Sequence, residues 1–343
     1  MHIGIGLDQP LGLSFREQQE LIAEATRLGY QSAWTPHNVR QDGFQICSHW
    51  WRTSADVSAG GIGTGISVVP VPGWSPVNLA VCAGTVADHS GGKFILGVGS
   101  GSIYDENARR QNNWPPLKPI GMMREYISAL RTLLDGGTVN QEGQAFTLRG
   151  ASLSFKPPRV PIYLGALGPQ MVQLAGELAD GVALNWSSAD QIAWSRQQVA
   201  EGAKRSGRNP ADVNIMQYIR ICVDEDEDLA RRAYTKATLG YALARPGASK
   251  EHGYRGHFGR MGFEDVLSEL EAMRDRGESE DAIIEAFPRD LLLKVGYYGK
   301  PAGAREAFLR VGAGLDTAVV RVVAARRGVE SVAAVMRACA PGA

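Results

Sequence analysis

The residues best suited to chemistry lie in one stretch, IYLGALGPQMVQLAGELADGVALN, residues 162–185. An apolar run, Ile162–Leu164, enters the turn Gly165-Ala166-Leu167-Gly168-Pro169. A helical pattern follows at once, then a second apolar run at Val182–Leu184. Glycine lets backbone come close to a ligand, and proline suits the first position of a helix. The unpaired N–H groups at such a helix start attract an anion. The turn therefore reads as a seat for the phosphate of a cofactor, although an ordinary tight strand-to-helix connection would use the same residues.

Such a seat needs a frame, and short apolar runs alternate with amphipathic runs along the chain. The strand-like runs are Ile3–Leu7, Ser32–Thr35, Ile66–Val69, Phe94–Val98, Ile162–Leu164, Val182–Leu184, Val213–Val223 and Thr317–Val323. Short, largely apolar runs of this kind mark buried parallel strands. Helical patterns lie between them, at Phe15–Leu28 with Ser14 as N-cap, Phe44–Ser58, Pro76–Asp88, Met122–Leu134, Ala189–Ser206 and Val329–Arg337. Gly137–Leu148 has the pattern of a small hairpin. Between Asp224 and Leu293 helical segments follow one another without a strand, which predicts a helical insertion at about 224–293, after strand seven. Eight such units predict a TIM (β/α)8 barrel in the α/β class, formed as a single domain over residues 1–343.

In that fold the active site lies at the C-terminal ends of the strands. Asp8 follows strand one, and Pro36-His37-Asn38 follow strand two. Pro70, Pro72 and Trp74 follow strand three. Gly99-Ser100-Gly101-Ser102 follow strand four, with Tyr104, Asp105 and Glu106 behind them. The Gly165–Pro169 turn follows strand five, Asn185-Trp186-Ser187 strand six, and Arg326-Arg327 strand eight. One rim would thus carry two glycine-rich turns, a histidine, carboxylates and two tryptophans. His37 is a candidate for proton transfer because its ordinary pKa lies near neutrality. Asp8 is a second candidate, and would otherwise cap a helix or pair with an arginine. His49, His252 and His257 read as surface or core residues, and Arg326-Arg327 as solvated.

Composition narrows the class. Lys+Arg and Asp+Glu both number 36, so no basic excess points to nucleic acid or an anionic membrane. No apolar run approaches the roughly 20 residues of a membrane-spanning helix. The opening MHIGIGLDQP lacks the pattern of a signal peptide, and a cytoplasmic enzyme is expected. The cysteines, Cys47, Cys82, Cys222 and Cys339, are scattered, so neither a zinc site nor a disulfide framework is expected.

Three motifs, in order, resemble the bacterial luciferase-like superfamily, and within it the branch that uses the deazaflavin coenzyme F420. The 162–185 run is similar to that of methylenetetrahydromethanopterin reductases. Gly65–Pro70 with Trp74-Ser75-Pro76 resembles the strand-three segment, and Phe94–Gly101 the strand-four segment. The resemblance implies that the deazaflavin ring lies in the barrel mouth against a strand-three bulge at Ser67 and Val68, whose peptide bond would be cis. It implies a phosphate tail near Gly165, Ala166, Leu167, Gly168 and Pro169, with Gly99, Ser100, Gly101 and Asn185 also at the cofactor, and His37 beside the ring. Carbon in place of a flavin nitrogen makes this cofactor a two-electron hydride carrier with little oxygen reactivity. The implied function is hydride transfer between F420 and a small organic substrate. A reduced-flavin (FMN) monooxygenase and a non-catalytic flavin-binding barrel are the alternatives. A homodimer is common in the family.

The departures bear on the substrate. Where sugar-phosphate dehydrogenases of this branch carry an acid at the end of the strand-four turn, this chain has Ser102. Gln41 stands in place of their tryptophan. Their phosphate-binding lysines and arginines have no clear match, so sugar-phosphate oxidation is not expected. Glu106, one helical turn past Ser102, is the candidate replacement acid. The Asn38–Trp51 segment, with His49-Trp50-Trp51, gives no support to a pterin site.

Overall fold

The structure, a computed structural model, describes residues 1–342. Eight parallel strands close into a barrel: β1 (His2–Gly6), β2 (Ser32–Thr35), β3 (Gly63–Pro70), β4 (Phe94–Gly99), β5 (Ile162–Gly165), β6 (Gly181–Asn185), β7 (Asn214–Val223) and β8 (Thr317–Val322). Each pairs with the next, and β8 pairs with β1 to close the ring. The expected TIM barrel is present. A ninth parallel strand, Gly296–Gly299, was not foreseen. It pairs with Arg220–Val223, on the edge of β7 beyond the end of β6. Its sequence, GYYG, is too short to show a period.

The helices start where local chemistry allows. Ser14 and Glu17 form a capping box at Phe15–Arg27, Asp42 caps Gly43–Val57, and Ser188 with Gln191 forms a second capping box at Ala189–Arg205. His49-Trp50-Trp51 lies on the second of these helices, and Trp50 is fully buried and donates to Gln18. Between β7 and Gly296 run five helices: Glu227–Ala242, Gly253–Phe258, Glu264–Asp275, Glu280–Ala286 and Arg289–Val295.

Two apolar layers position the site. The large one lies between strands and surrounding helices. The lumen holds a smaller cluster of Trp34, Tyr163, Ala183, Met216, Tyr218 and Val319, with Val68 and Ile95 against it. Residues from seven strands meet there, so the barrel is a packed core and not a pore. Glycines make room for Trp34, since a Cβ at Gly65 would overlap its ring and one at Gly4 would come within 3.0 Å of it. A third cluster, among the helices after β7, packs around Trp186 and Cys222.

Candidate active site

The mouth is organised by a bulge in β3. The Ser67–Val68 peptide bond is cis, as the resemblance implied, and the pairing with β4 shifts between Ile66 and Val69. Val68 then touches three of the expected segments. Its carbonyl accepts from the His37 N–H at 3.4 Å. Its side chain occupies the space a Cβ would need at Gly99 (2.6 Å) and at Gly165 (3.0 Å). Packing against Val68 by itself therefore favours glycine at position 165. Gly168 differs, because an added Cβ there would meet nothing within 4 Å.

Gly168 is the N-cap of the helix Pro169–Leu178, with φ −98° and ψ 158°, and Pro169 occupies the first position as expected. No side chain caps this helix start. The first intrahelical bond runs from Val172 N–H to Gly168 C=O, so the N–H groups before it remain available to an anion. Ala166 is buried and its N–H bonds to Ala183 C=O on β6, which fixes the turn.

His37 sits between aromatic rings, 5.3 Å from Trp74 and 5.8 Å from Phe44, centroid to centroid. Its Nδ1 accepts from Gly43 N–H at 3.2 Å. That bond assigns the proton of the neutral ring to Nε2. Burial lowers the His37 pKa, and Asp42, 3.8 Å from Nδ1, opposes this more weakly. The ring is therefore neutral at pH 7.

Asp8 pairs with Arg321, a β8 residue that sequence reasoning missed. Both are nearly buried, and burial pushes the Arg321 guanidinium down to about 9, still cationic at neutral pH. The Arg321 head lies 4.5 Å from the centre of the Tyr218 ring. Asn185 is held at both ends of its amide. Its Oδ1 accepts from Arg220 at 2.7 Å, and its Nδ2 donates to Tyr254 at 2.8 Å. Arg220 lies over Trp186, its guanidinium carbon 3.5 Å from the ring centre. Trp186 has no exposure and a left-handed φ of 59°, so it belongs to the core of the helices after β7 and does not line an open pocket.

On the strand-four loop two adjacent carboxylates diverge. Asp105 caps the short helix Glu106–Asn112 and reaches Arg245 at 3.0 Å, tying this loop to the segment after Glu227–Ala242. Glu106 is 64% exposed and pairs with Arg110 one turn on. No hydrogen bond or ion pair joins it to His37 or Asp8 among the described residues. Arg326 is solvated and paired with Asp224, as expected. His257 is a core residue whose Nε2 lies 3.1 Å from Trp186 C=O and 3.3 Å from Ser187 Oγ. Arg220, Gln217 and Arg321 did carry a signal, each being polar in an otherwise apolar buried strand. Among the described residues, no three His, Cys, Asp or Glu are grouped to hold a metal ion. No helix there is long and apolar enough to cross a membrane.

Comparison with known proteins adds the following. The model of the luciferase-like monooxygenase family matches residues 2–317. A 5,10-methylenetetrahydromethanopterin reductase of Archaeoglobus fulgidus is 37% identical over 159 residues, 46% of this chain and 47% of the relative. An F420-dependent glucose-6-phosphate dehydrogenase of Mycolicibacterium gilvum is 30% identical over 225 residues, 63% of this chain and 67% of the relative. The first of these is matched over less than half its own length. The coenzyme F420-dependent tetrahydromethanopterin reductase of Methanopyrus kandleri superposes with a TM-score of 0.78 at 21% identity, covering 99% of this chain and 98% of that one. At that identity the superposition establishes the fold alone.

Proposed function

The chain belongs to the luciferase-like monooxygenase family, and on that premise we propose that it is an F420-dependent oxidoreductase that transfers a hydride between the deazaflavin and a small organic substrate. The observation that carries this reading is Val68. One bulged residue touches His37, Gly99 and Gly165, so the ring-side histidine and both glycine turns meet at one mouth. A relative named for F420 dependence supports the choice of cofactor.

The residues suit such a cofactor. The uncapped start of Pro169–Leu178, with open space over Gly168, would take the phosphate, and Leu167 and Pro169 would flank it. Ser67 and Val68 would support the ring, with Gly99, Ser100 and Gly101 beside it. Asn185, tied by Arg220 and Tyr254, would present a fixed rim. When bound, the deazaflavin supplies a two-electron hydride carrier, and the protein supplies orientation and proton control. His37, neutral and with Nε2–H free to donate, would polarise or protonate a reacting group. Asp8 is the carboxylate best placed for a second proton role, since Glu106 is committed to its own helix. The protein would act on small molecules, as a cytoplasmic enzyme and a homodimer.

Titration of purified protein with coenzyme F420, and separately with FMN, tests this. Micromolar or tighter binding of the deazaflavin alone is expected. Preference for FMN would transfer the chain to oxygen-using monooxygenase chemistry. Tight binding of F420 with no turnover on a broad panel would mark a binding barrel.

A further inference from the structure

A cavity of about 490 Å3 opens between the loops after β3 and β4, the helix Pro119–Leu134 and the tip of the antiparallel hairpin Val139–Glu142 and Thr147–Ala151. Its walls are aromatic: Trp74, Trp114, Tyr126 and Phe146. Their surroundings fix these rings. The Tyr126 hydroxyl donates to Trp74 C=O at 2.6 Å, and the Phe146 ring stands edge-on to Tyr126 at 5.1 Å. The Glu125 carboxylate holds the hairpin tip by accepting from the N–H groups of Gln144 and Ala145, both at 2.9 Å. Trp114 rests on two glycines, since a Cβ at Gly101 would lie 3.1 Å from its ring and one at Gly73 3.3 Å from its Nε1. Asn113 before it takes a left-handed φ of 53°, and the Trp114 N–H donates to Arg109 C=O. None of the thirteen lining residues is charged, in a chain where 21% of residues are, so the cavity offers a ligand no ionic partner. Hydrogen-bonding capacity remains. Trp114 Nε1, the Asn113 amide and the Thr147 hydroxyl have no partner among the described residues and are open to solvent. Trp74 also packs against His37, 5.3 Å away, but His37 does not line the cavity.

We propose that this cavity is a second binding site, separate from the cofactor seat, for an uncharged planar ring that carries a carbonyl, such as an aromatic amide. Flat aromatic walls favour a flat ligand through stacked or edge-to-face contact. With no charge in the lining, an ionised ligand would give up hydration and gain no ion pair, so the neutral form is selected. The free N–H groups of Trp114 and Asn113 and the Thr147 hydroxyl match the lone pairs of a carbonyl. Asn112 Nδ2 is spent on Ala108 C=O at 2.9 Å, which leaves its Oδ1 to accept from an amide N–H. Aromatic walls with a few directed polar groups, in a cavity within roughly 300–1,000 Å3, are the usual composition of a small-molecule site. Trp74 stands between this site and His37, so its occupant is distinct from the molecule that reacts in the mouth.

The probes are 2-naphthamide and 2-naphthoate, which share a ring system and differ in charge. Ligand-observed NMR titration of the full-length protein should give a Kd for 2-naphthamide on the order of 0.1–1 mM, the range open to a molecule of this size. The anion 2-naphthoate should bind at least about tenfold more weakly. Trp114→Ala should weaken 2-naphthamide about tenfold or more. Asn113→Gly is the second variant, because glycine accepts the left-handed φ and leaves the fold undisturbed. It should weaken 2-naphthamide about threefold to tenfold with no loss of thermal stability, by removing the amide alone. Neither variant should change the F420 Kd by more than about threefold, and saturating F420 should not displace 2-naphthamide. Equal binding of amide and anion, binding that both variants leave unchanged, or displacement by F420 would overturn the proposal. A change of oligomeric state in Trp114→Ala would overturn it too, by assigning this face to a second copy of the chain. If wild-type protein fails to bind F420, the cofactor reading fails by itself, and the two variants still decide this site.

Discussion

Two arginines at the same height of the barrel behave in opposite ways. Arg220 on β7 and Arg321 on β8 are register partners on adjacent strands, and both are nearly buried. Arg220 bonds to Asn185 and lies over the Trp186 ring, with the Tyr241 ring centre 5.2 Å away. Arg321 has Asp8 and the face of Tyr218. The first anchors the strand ends to the helices after β7. The second joins β8 to the segment after β1 through a charge pair. A buried cation held by a neutral amide and an aromatic face has no counter-charge to leave with it, while one paired with a carboxylate can be removed together with its partner.

The difference is sharpest in stability. Arg220→Met removes the partner of Asn185 and the cation over Trp186, and should destabilise the fold by about 3 kcal/mol. The double variant Asp8→Asn/Arg321→Met should cost less, about 1 kcal/mol, since it removes a charge pair together. Denaturant unfolding compares them, and equal losses would erase the distinction drawn between the two arginines.

His257 belongs to the Arg220 side, since it bonds the carbonyl of Trp186. Burial, with help from Arg260, lowers its pKa from 6.5 to about 4. The folded protein therefore resists protonating it, while the unfolded chain takes up the proton below 6.5. Stability from this group is complete above pH 6.5 and declines as pH falls toward 4, by on the order of 3 kcal/mol. His257→Gln should flatten the pH dependence in that window. An unchanged slope would place the acid sensitivity elsewhere.

The smallest effect belongs to the open side. A Cβ added at Gly168 meets no protein atom within 4 Å, so in Gly168→Val stability should change by less than about 0.5 kcal/mol. F420 affinity should nevertheless fall, by about tenfold, as the side chain fills the space over the helix start. Unchanged affinity would remove the phosphate from this turn.

Much of this was legible in one dimension. Alternating apolar and amphipathic runs set eight strands in order, because a strand buried on both faces must be apolar throughout. Ser14, Gly168 and Pro169 marked helix starts through local bonding that needs no tertiary contact. His37 and the glycine turns were found by their place after strands, and the bulge at Ser67–Val68 by resemblance. Tertiary structure decided which of these residues have partners. Val68 fills the space at Gly165, Trp186 goes to the core, Glu106 turns to Arg110, and Arg321 faces Asp8 across 313 residues of chain. Sequence position records what a side chain can do. Closure of the barrel determines which donors and acceptors remain unpaired, because hydrogen bonds and ion pairs depend on distances of a few ångströms between residues far apart in the chain.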